Sequence, residues 1–124
     1  MLNMENILII GCGLLGSSLL RRISKKKMTK KVFIFEKSKS NKNKIKKLKL
    51  PVTFIKKLDE GVCKCKLIIL CTPMSEYKKI ILKMNKHLTS NNVITDIGSS
   101  KLTSLKVIRK NLKKKYILGF QVIL

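Results

Sequence analysis

The chain has 124 residues and sets 29 Lys and Arg against 6 Asp and Glu, for a formal net charge of +23. That length has room for one domain, which would bury roughly two-thirds of its unfolded surface. No apolar run approaches the ~18 residues of a membrane span, and the first run is not a secretory leader, because it is four residues long and ends in glycine. The expectation is a cytoplasmic protein with no membrane partner.

Ile7-Leu8-Ile9-Ile10 reads as a parallel strand buried on both faces. Gly11-Cys12-Gly13-Leu14-Leu15-Gly16 follows at once, and Leu15, Leu19, Leu20 and Ile23 then recur at helical spacing, which predicts a helix to about Ser24. Residues 25–31 read as a basic turn. Residues 32–36 read as a second strand, Val32-Phe33-Ile34-Phe35 ending in Glu36. From Lys37 to Leu50 the chain is mostly Lys, Ser and Asn, with Ile45, Leu48 and Leu50 as its apolar positions; a short amphipathic helix and a loop both fit. Pro51 stops any helix.

Val52-Thr53-Phe54-Ile55 predicts a third strand and Lys66-Leu67-Ile68-Ile69-Leu70 a fourth. Tyr77, Ile80, Ile81, Met84 and Leu88 form a one-sided helix stripe, read as core. Asn91-Asn92 reads as a turn and Val93-Ile94-Thr95-Asp96 as a fifth strand. Leu102, Leu105, Ile108 and Leu112 suggest another helix, and Tyr116-Ile117-Leu118 another strand. Strands alternate with helices throughout. This predicts an α/β fold of the Rossmann type: a doubly wound, mostly parallel sheet with helices on both faces, incomplete at its C-terminus.

Strand, glycine turn, helix, strand and an acid twenty residues after Gly16 form the full context of a dinucleotide-binding fingerprint. Gly11 permits the tight bend, Gly13 lets backbone N–H groups approach a pyrophosphate, and Gly16 lets the helix pack close to the strand. The helix N-terminus adds unpaired N–H groups and about half a positive charge. Glu36 would accept from the ribose hydroxyls and repel a 2′-phosphate, which favours NAD. Lys37, Ser38 and Lys39 could hold such a phosphate and keep NADP as the lesser alternative.

Ligands of such sheets bind beyond the carboxyl ends of the strands. Cys71-Thr72-Pro73 lies there, where backbone and hydroxyl groups could meet the nicotinamide ribose; an ordinary strand-to-helix turn fits equally well. Asp96-Ile97-Gly98-Ser99-Ser100-Lys101 combines an acid, a permissive glycine, two hydroxyls and a cation. Asp96 could orient backbone groups or a hydroxyl, Ser99 could bond a substrate hydroxyl, and Lys101 could pair with a substrate carboxylate. By spacing alone, a helix cap at Ser99 or Ser100 is the better reading. Cys12, Cys63, Cys65 and Cys71 form no C-x-x-C pair, so neither a metal site nor a disulfide framework is expected.

The charge invites a nucleic-acid partner, but three features argue against one. Only Arg21, Arg22 and Arg109 are arginine, aromatics are few, and the lysines spread over every predicted face. The chain also lacks alanine and abounds in Lys, Ile and Asn, as codons of an AT-rich genome would favour.

Ile-Gly-Cys-Gly-Leu-Leu-Gly-Ser-Ser at 10–18, Leu-Cys-Thr-Pro at 70–73 and Thr-Asp-Ile-Gly-Ser-Ser-Lys at 95–101 resemble the prephenate dehydrogenase family, which includes arogenate dehydrogenases. The likeness covers nearly the whole chain and only the N-terminal part of a family member. It implies an NAD-dependent oxidative decarboxylation in tyrosine biosynthesis, giving 4-hydroxyphenylpyruvate from prephenate. It further implies a catalytic histidine in a Gly-His-Pro or Ser-His-Pro motif, assisted by the serine matching Ser99, and a helical domain that dimerises and holds substrate. Here the histidine motif should fall just after Tyr116-Ile117, yet the chain reads Leu118-Gly119-Phe120-Gln121-Val122-Ile123-Leu124; His87 is the only histidine and is expected at the surface. Codons allowed for Gly119–Leu124 encode Ile-Pro-Gly-His-Pro in a shifted frame, so a frameshift near codons 117–120 is expected, and with it an inactive fragment. Two competing readings are the nucleotide domain of a β-hydroxyacid-type dehydrogenase and a standalone basic module for nucleotides or nucleic acid.

Overall fold

The computed structural model describes residues 4–11, 13–26, 29–89, 92–97, 106–108 and 110–111. Among these residues five strands form one sheet: β1 (Met4–Ile10), β2 (Thr29–Phe35), β3 (Val52–Phe54), β4 (Leu67–Leu70) and β5 (Val93–Asp96). All pairings are parallel, in the order β3-β2-β1-β4-β5. The order reverses direction between β1 and β4, so the loops that follow these two strands diverge over the same gap.

The period-two alternation of side chains along each strand divides the core into two layers. Ile7, Ile9, Val32, Ile34, Leu67 and Ile69 point to one face and pack with Leu19, Leu20 and Ile23 of α1 (Leu14–Lys26) and Ile45 of α2 (Lys39–Lys47). Leu8, Ile10, Phe33, Ile68, Leu70 and Ile94 point to the other. There they meet Leu58 and Val62 of α3 (Leu58–Lys64) and Tyr77, Ile80, Ile81 and Met84 of α4 (Tyr77–Met84). The predicted doubly wound α/β sheet is the one observed.

Several predicted boundaries move. Strand β1 starts at Met4 and β2 at Thr29, because backbone pairing from Met4↔Thr29 onward holds polar residues in the ladder that hydropathy alone leaves out. The predicted basic turn over 25–31 is therefore mostly helix and strand, with α1 running to Lys26. The segment that fitted both a helix and a loop is helix α2. Ser38 caps it, its Oγ accepting from the Asn41 N–H at 3.2 Å, and Lys44, Lys46 and Lys47 sit in its last turn, where cations favour the dipole.

Helix α4 is flanked by 3₁₀ turns at Met74–Glu76 and Asn85–His87, and His87, expected at the surface, is half-buried. Helix α3 had no counterpart in the sequence reading. Residues 106–108 and 110–111 are helical, with Ile108 buried, as the 102–112 stripe predicts. The predicted strand at Tyr116–Leu118 lies outside the described residues.

Candidate nucleotide-binding site

The ladder hydrogen bonds continue past the strand ends and tie three loops together. The Gly11 N–H donates to the Phe35 carbonyl at 2.8 Å, and the Cys71 N–H donates to the Ile10 carbonyl at 2.8 Å. The glycine turn is thus held between the ends of β2 and β4. Gly11 has φ +79, a left-handed conformation that glycine adopts without a Cβ penalty. A Cβ there would collide with the Thr72 methyl and stand 3.1 Å from the Thr72 nitrogen and 3.2 Å from its Cα. Gly13 is the opposite case: nothing lies within 4 Å of where its Cβ would be, so its backbone faces open space. Gly16 is buried in the first turn of α1, whose backbone includes Leu14 and Leu15. That turn carries no acidic side chain, so the partial positive charge of the helix N-terminus is not offset there. Cys12 lies outside the described residues.

A cavity of about 160 Å³ opens at these loops. Ile10, Phe35, Leu58 and Ile80 give it apolar walls; Gly11, Glu36 and Thr72 line it from the three strand ends, and Lys37, Glu76, Lys79 and Lys83 complete the lining. Sequence motifs point to Gly11, Glu36 and Thr72 but not to Leu58, Glu76, Lys79 or Lys83. The lysines stand one turn apart beside the Tyr77–Met84 stripe, a spacing that carries them to one rim of α4.

Glu36 is half-buried and follows the last residue of β2. The Ser38 N–H donates to its Oε2 at 3.2 Å, and Asn41 Nδ2 donates to its Oε1 at 3.1 Å. Thr72 Oγ1 is buried with no hydrogen-bond partner among the described residues. A buried hydroxyl left this way is free to bond a ligand or an ordered water. Cys71 is half-buried, while Pro73 is exposed and caps the Met74–Glu76 turn, its carbonyl accepting from the Glu76 N–H at 2.9 Å. The segment is at once a strand-to-helix turn and part of the cavity wall.

Asp96 ends β5 opposite Leu70 and is fully buried, on the α4 side of the sheet. The Tyr77 hydroxyl donates to its Oδ2 at 2.9 Å. Burial, with the hydrogen bond and charge of Asp96 and a smaller contribution from Cys71, holds the Tyr77 phenol well above its ordinary pKa. Tyr77 was expected only as core; a buried tyrosine that needs a partner for its hydroxyl was the available signal. Ser99 and Lys101 lie outside the described residues. The arrangement therefore brings together Gly11, Glu36 and Thr72, with Asp96 one strand further along the same carboxyl edge.

Among the described residues no cluster of three His, Cys, Asp or Glu side chains could hold a metal ion, and no helix is long and apolar enough to cross a membrane. Cys65 is buried, and that burial pushes its thiol pKa up to about 12 against a smaller downward pull from Lys64.

Residues 21–121 match the family model described as prephenate dehydrogenase, nucleotide-binding domain. The chain belongs to this family. The prephenate dehydrogenase likeness extends to a curated cyclohexadienyl dehydrogenase of Zymomonas mobilis, 27% identical over 113 residues, covering 91% of this chain and 39% of the relative. A prephenate dehydrogenase from A. aeolicus, solved in complex with hydroxyphenyl propionate and NAD+, superposes with a TM-score of 0.77 at 19% identity, over 93% of this chain and 41% of that one. Synechocystis arogenate dehydrogenase gives 0.73 at 22% identity, over 92% and 40%. The chain thus spans about two-fifths of the length of these relatives, and the two structures bear on the fold.

Proposed function

We propose that this chain is the NAD-binding portion of a prephenate dehydrogenase, with arogenate as the alternative substrate. The reading rests on one observation above all: Gly11, Glu36 and Thr72, from the ends of β1, β2 and β4, line one cavity beside the N-terminus of a 13-residue helix. The open space at Gly13 and the Thr72 hydroxyl, which has no partner among the described residues, fit a dinucleotide. The α1 N-terminus would receive the pyrophosphate. Glu36 would accept from the adenosine ribose diol and disfavour a 2′-phosphate, so NAD is the proposed cofactor ahead of NADP. Once bound, the nicotinamide supplies a hydride acceptor.

The remaining roles follow the family likeness. Thr72, with the backbone of Cys71 and Pro73, would meet the nicotinamide ribose, and Asp96 would orient groups at the end of β5. Ser99 would assist at the substrate hydroxyl, which gives up hydride more readily as negative charge builds on its oxygen. Lys101 would pair with a substrate carboxylate. The overall reaction is oxidation of the ring alcohol with loss of the ring carboxylate as CO2, in cytoplasmic tyrosine biosynthesis. Dimerisation and substrate selection would belong to a helical domain outside residues 1–124.

His87, the chain's one histidine, sits in the turn after α4 and does not line this cavity, so the 124 residues alone should bind nucleotide without turnover. Calorimetric titration of the chain with NAD, followed by a check for NADH on adding prephenate, tests both halves. Saturable binding with no NADH is expected. No binding would overturn the nucleotide reading, and steady NADH production would overturn the claim of inactivity.

A further inference from the structure

We infer that Asn41 is a positioning residue that fixes the Glu36 carboxylate and so sets the chain's preference for an unphosphorylated adenosine ribose. This rests on the NAD reading above. The inference starts from an altered helix cap. In the usual capping box, the third helical residue reaches back to the N–H of the capping serine. Helix α2 has its serine cap, Ser38, whose Oγ takes the Asn41 backbone N–H at 3.2 Å. The N–H of Ser38, however, is taken by Glu36 from the strand end, Oε2 accepting at 3.2 Å. Asn41, at the third helical position, turns its side-chain amide to the same carboxylate and donates to Oε1 at 3.1 Å.

One hydrogen bond on each oxygen fixes both the position and the plane of the carboxylate. Each oxygen of an ionised carboxylate can accept a second bond, so a gripped Glu36 is still an acceptor for a diol. The α2 N-terminus adds a favourable field for the negative charge. Without the Asn41 amide the glutamate would lose the bond that anchors Oε1 and could swing from the cavity. Lys37, which also lines the cavity, would then attract a 2′-phosphate that Glu36 no longer repels.

The experiment is titration of the 124-residue chain with NAD and with NADP, for wild type, Asn41→Ala, Asn41→Leu and Ile45→Val. Asn41→Ala deletes the amide and keeps the backbone N–H that Ser38 Oγ caps. Asn41→Leu does the same at similar volume, should the smaller side chain loosen the fold. Ile45→Val trims the buried side chain of α2 and leaves Ser38, Asn41 and Glu36 in place. Wild type should prefer NAD, and either Asn41 variant should shrink the NAD:NADP affinity ratio about tenfold, the scale of one charge-assisted hydrogen bond in part. Ile45→Val should lower the unfolding midpoint while the ratio stays within about twofold.

An unchanged ratio in both Asn41 variants would overturn the inference and leave the NAD reading standing. So would an Ile45→Val ratio that falls as far as that of the Asn41 variants, since helix stability would then be the cause. A wild type that prefers NADP overturns the specificity claim, and one that binds neither nucleotide removes the NAD reading and this inference together.

Discussion

Position 11 answers two demands with one residue. The φ of +79 excludes ordinary side chains, and the Thr72 backbone closes the space a Cβ would need. Gly11→Ala therefore meets both a left-handed backbone penalty of about 1–2 kcal/mol and a clash with the neighbouring loop. Calorimetry should show NAD affinity reduced by at least about tenfold, because the turn must move to relieve the contact. Cys65 carries a different signature. The residue is 3% exposed, and its thiol pKa rises from 9.0 unfolded to about 12 folded. The unfolded chain releases that proton first as pH rises, so the contribution of the neutral thiol is intact below pH 9 and is lost progressively between 9 and 12. Unfolding midpoints measured across that range should fall more steeply for wild type than for Cys65→Ala.

Among the elements, α3 shows where the sequence was readable and where it was not. Strands β1, β4 and β5 and helices α1 and α4 announce themselves through continuous apolar runs or a one-sided stripe. Helix α3 is seven residues long and has a glycine at its centre, which argues against a helix on propensity. Gly61 is there because of tertiary packing: a Cβ would stand 2.6 Å from Ile55 Cδ1 and 2.8 Å from Leu8 Cδ2, so the helix lies against the sheet at backbone distance. Its Leu58, Val62, Cys65 spacing was the weak signal available.

The end of that helix depends on a residue that read only as a turn. Asn92 is buried and donates to the Val62 carbonyl at 3.1 Å and the Cys65 carbonyl at 2.8 Å, while its Oδ1 accepts from the Thr89 N–H at 2.8 Å. Asn92→Ala should destabilise the fold by about 2–3 kcal/mol, since it leaves buried groups on both sides without partners. Asn92→Asp should fare no better in urea unfolding, because a carboxylate cannot donate. In the candidate site, the glycines and Glu36 were legible because their motif has fixed spacing. The roles of Asn41 and Tyr77 were not, because each depends on a partner that folding brings within hydrogen-bond distance.

At the scale of the molecule, the net charge of +23 is the dominant long-range force. Self-repulsion of this size opposes compaction, and it is screened within about 10 Å at 0.1 M salt. The unfolding midpoint should therefore rise from low to moderate sodium chloride, where a domain of balanced charge would show little change. NAD, being anionic, should bind more weakly over the same range, and a titration at two salt concentrations would separate the two effects.

The hydrogen bonds from Gly11 to Phe35 and from Cys71 to Ile10, joined by that from the Ile97 N–H to the Leu70 carbonyl at 3.3 Å, have a last consequence. They make the strand-end loops extensions of the sheet rather than free connectors. The entropy of arranging these backbone donors and acceptors is spent when the chain folds, so a ligand arriving there has little left to order. Recognition at this edge is accordingly closer to docking on a finished surface than to closure of a jaw.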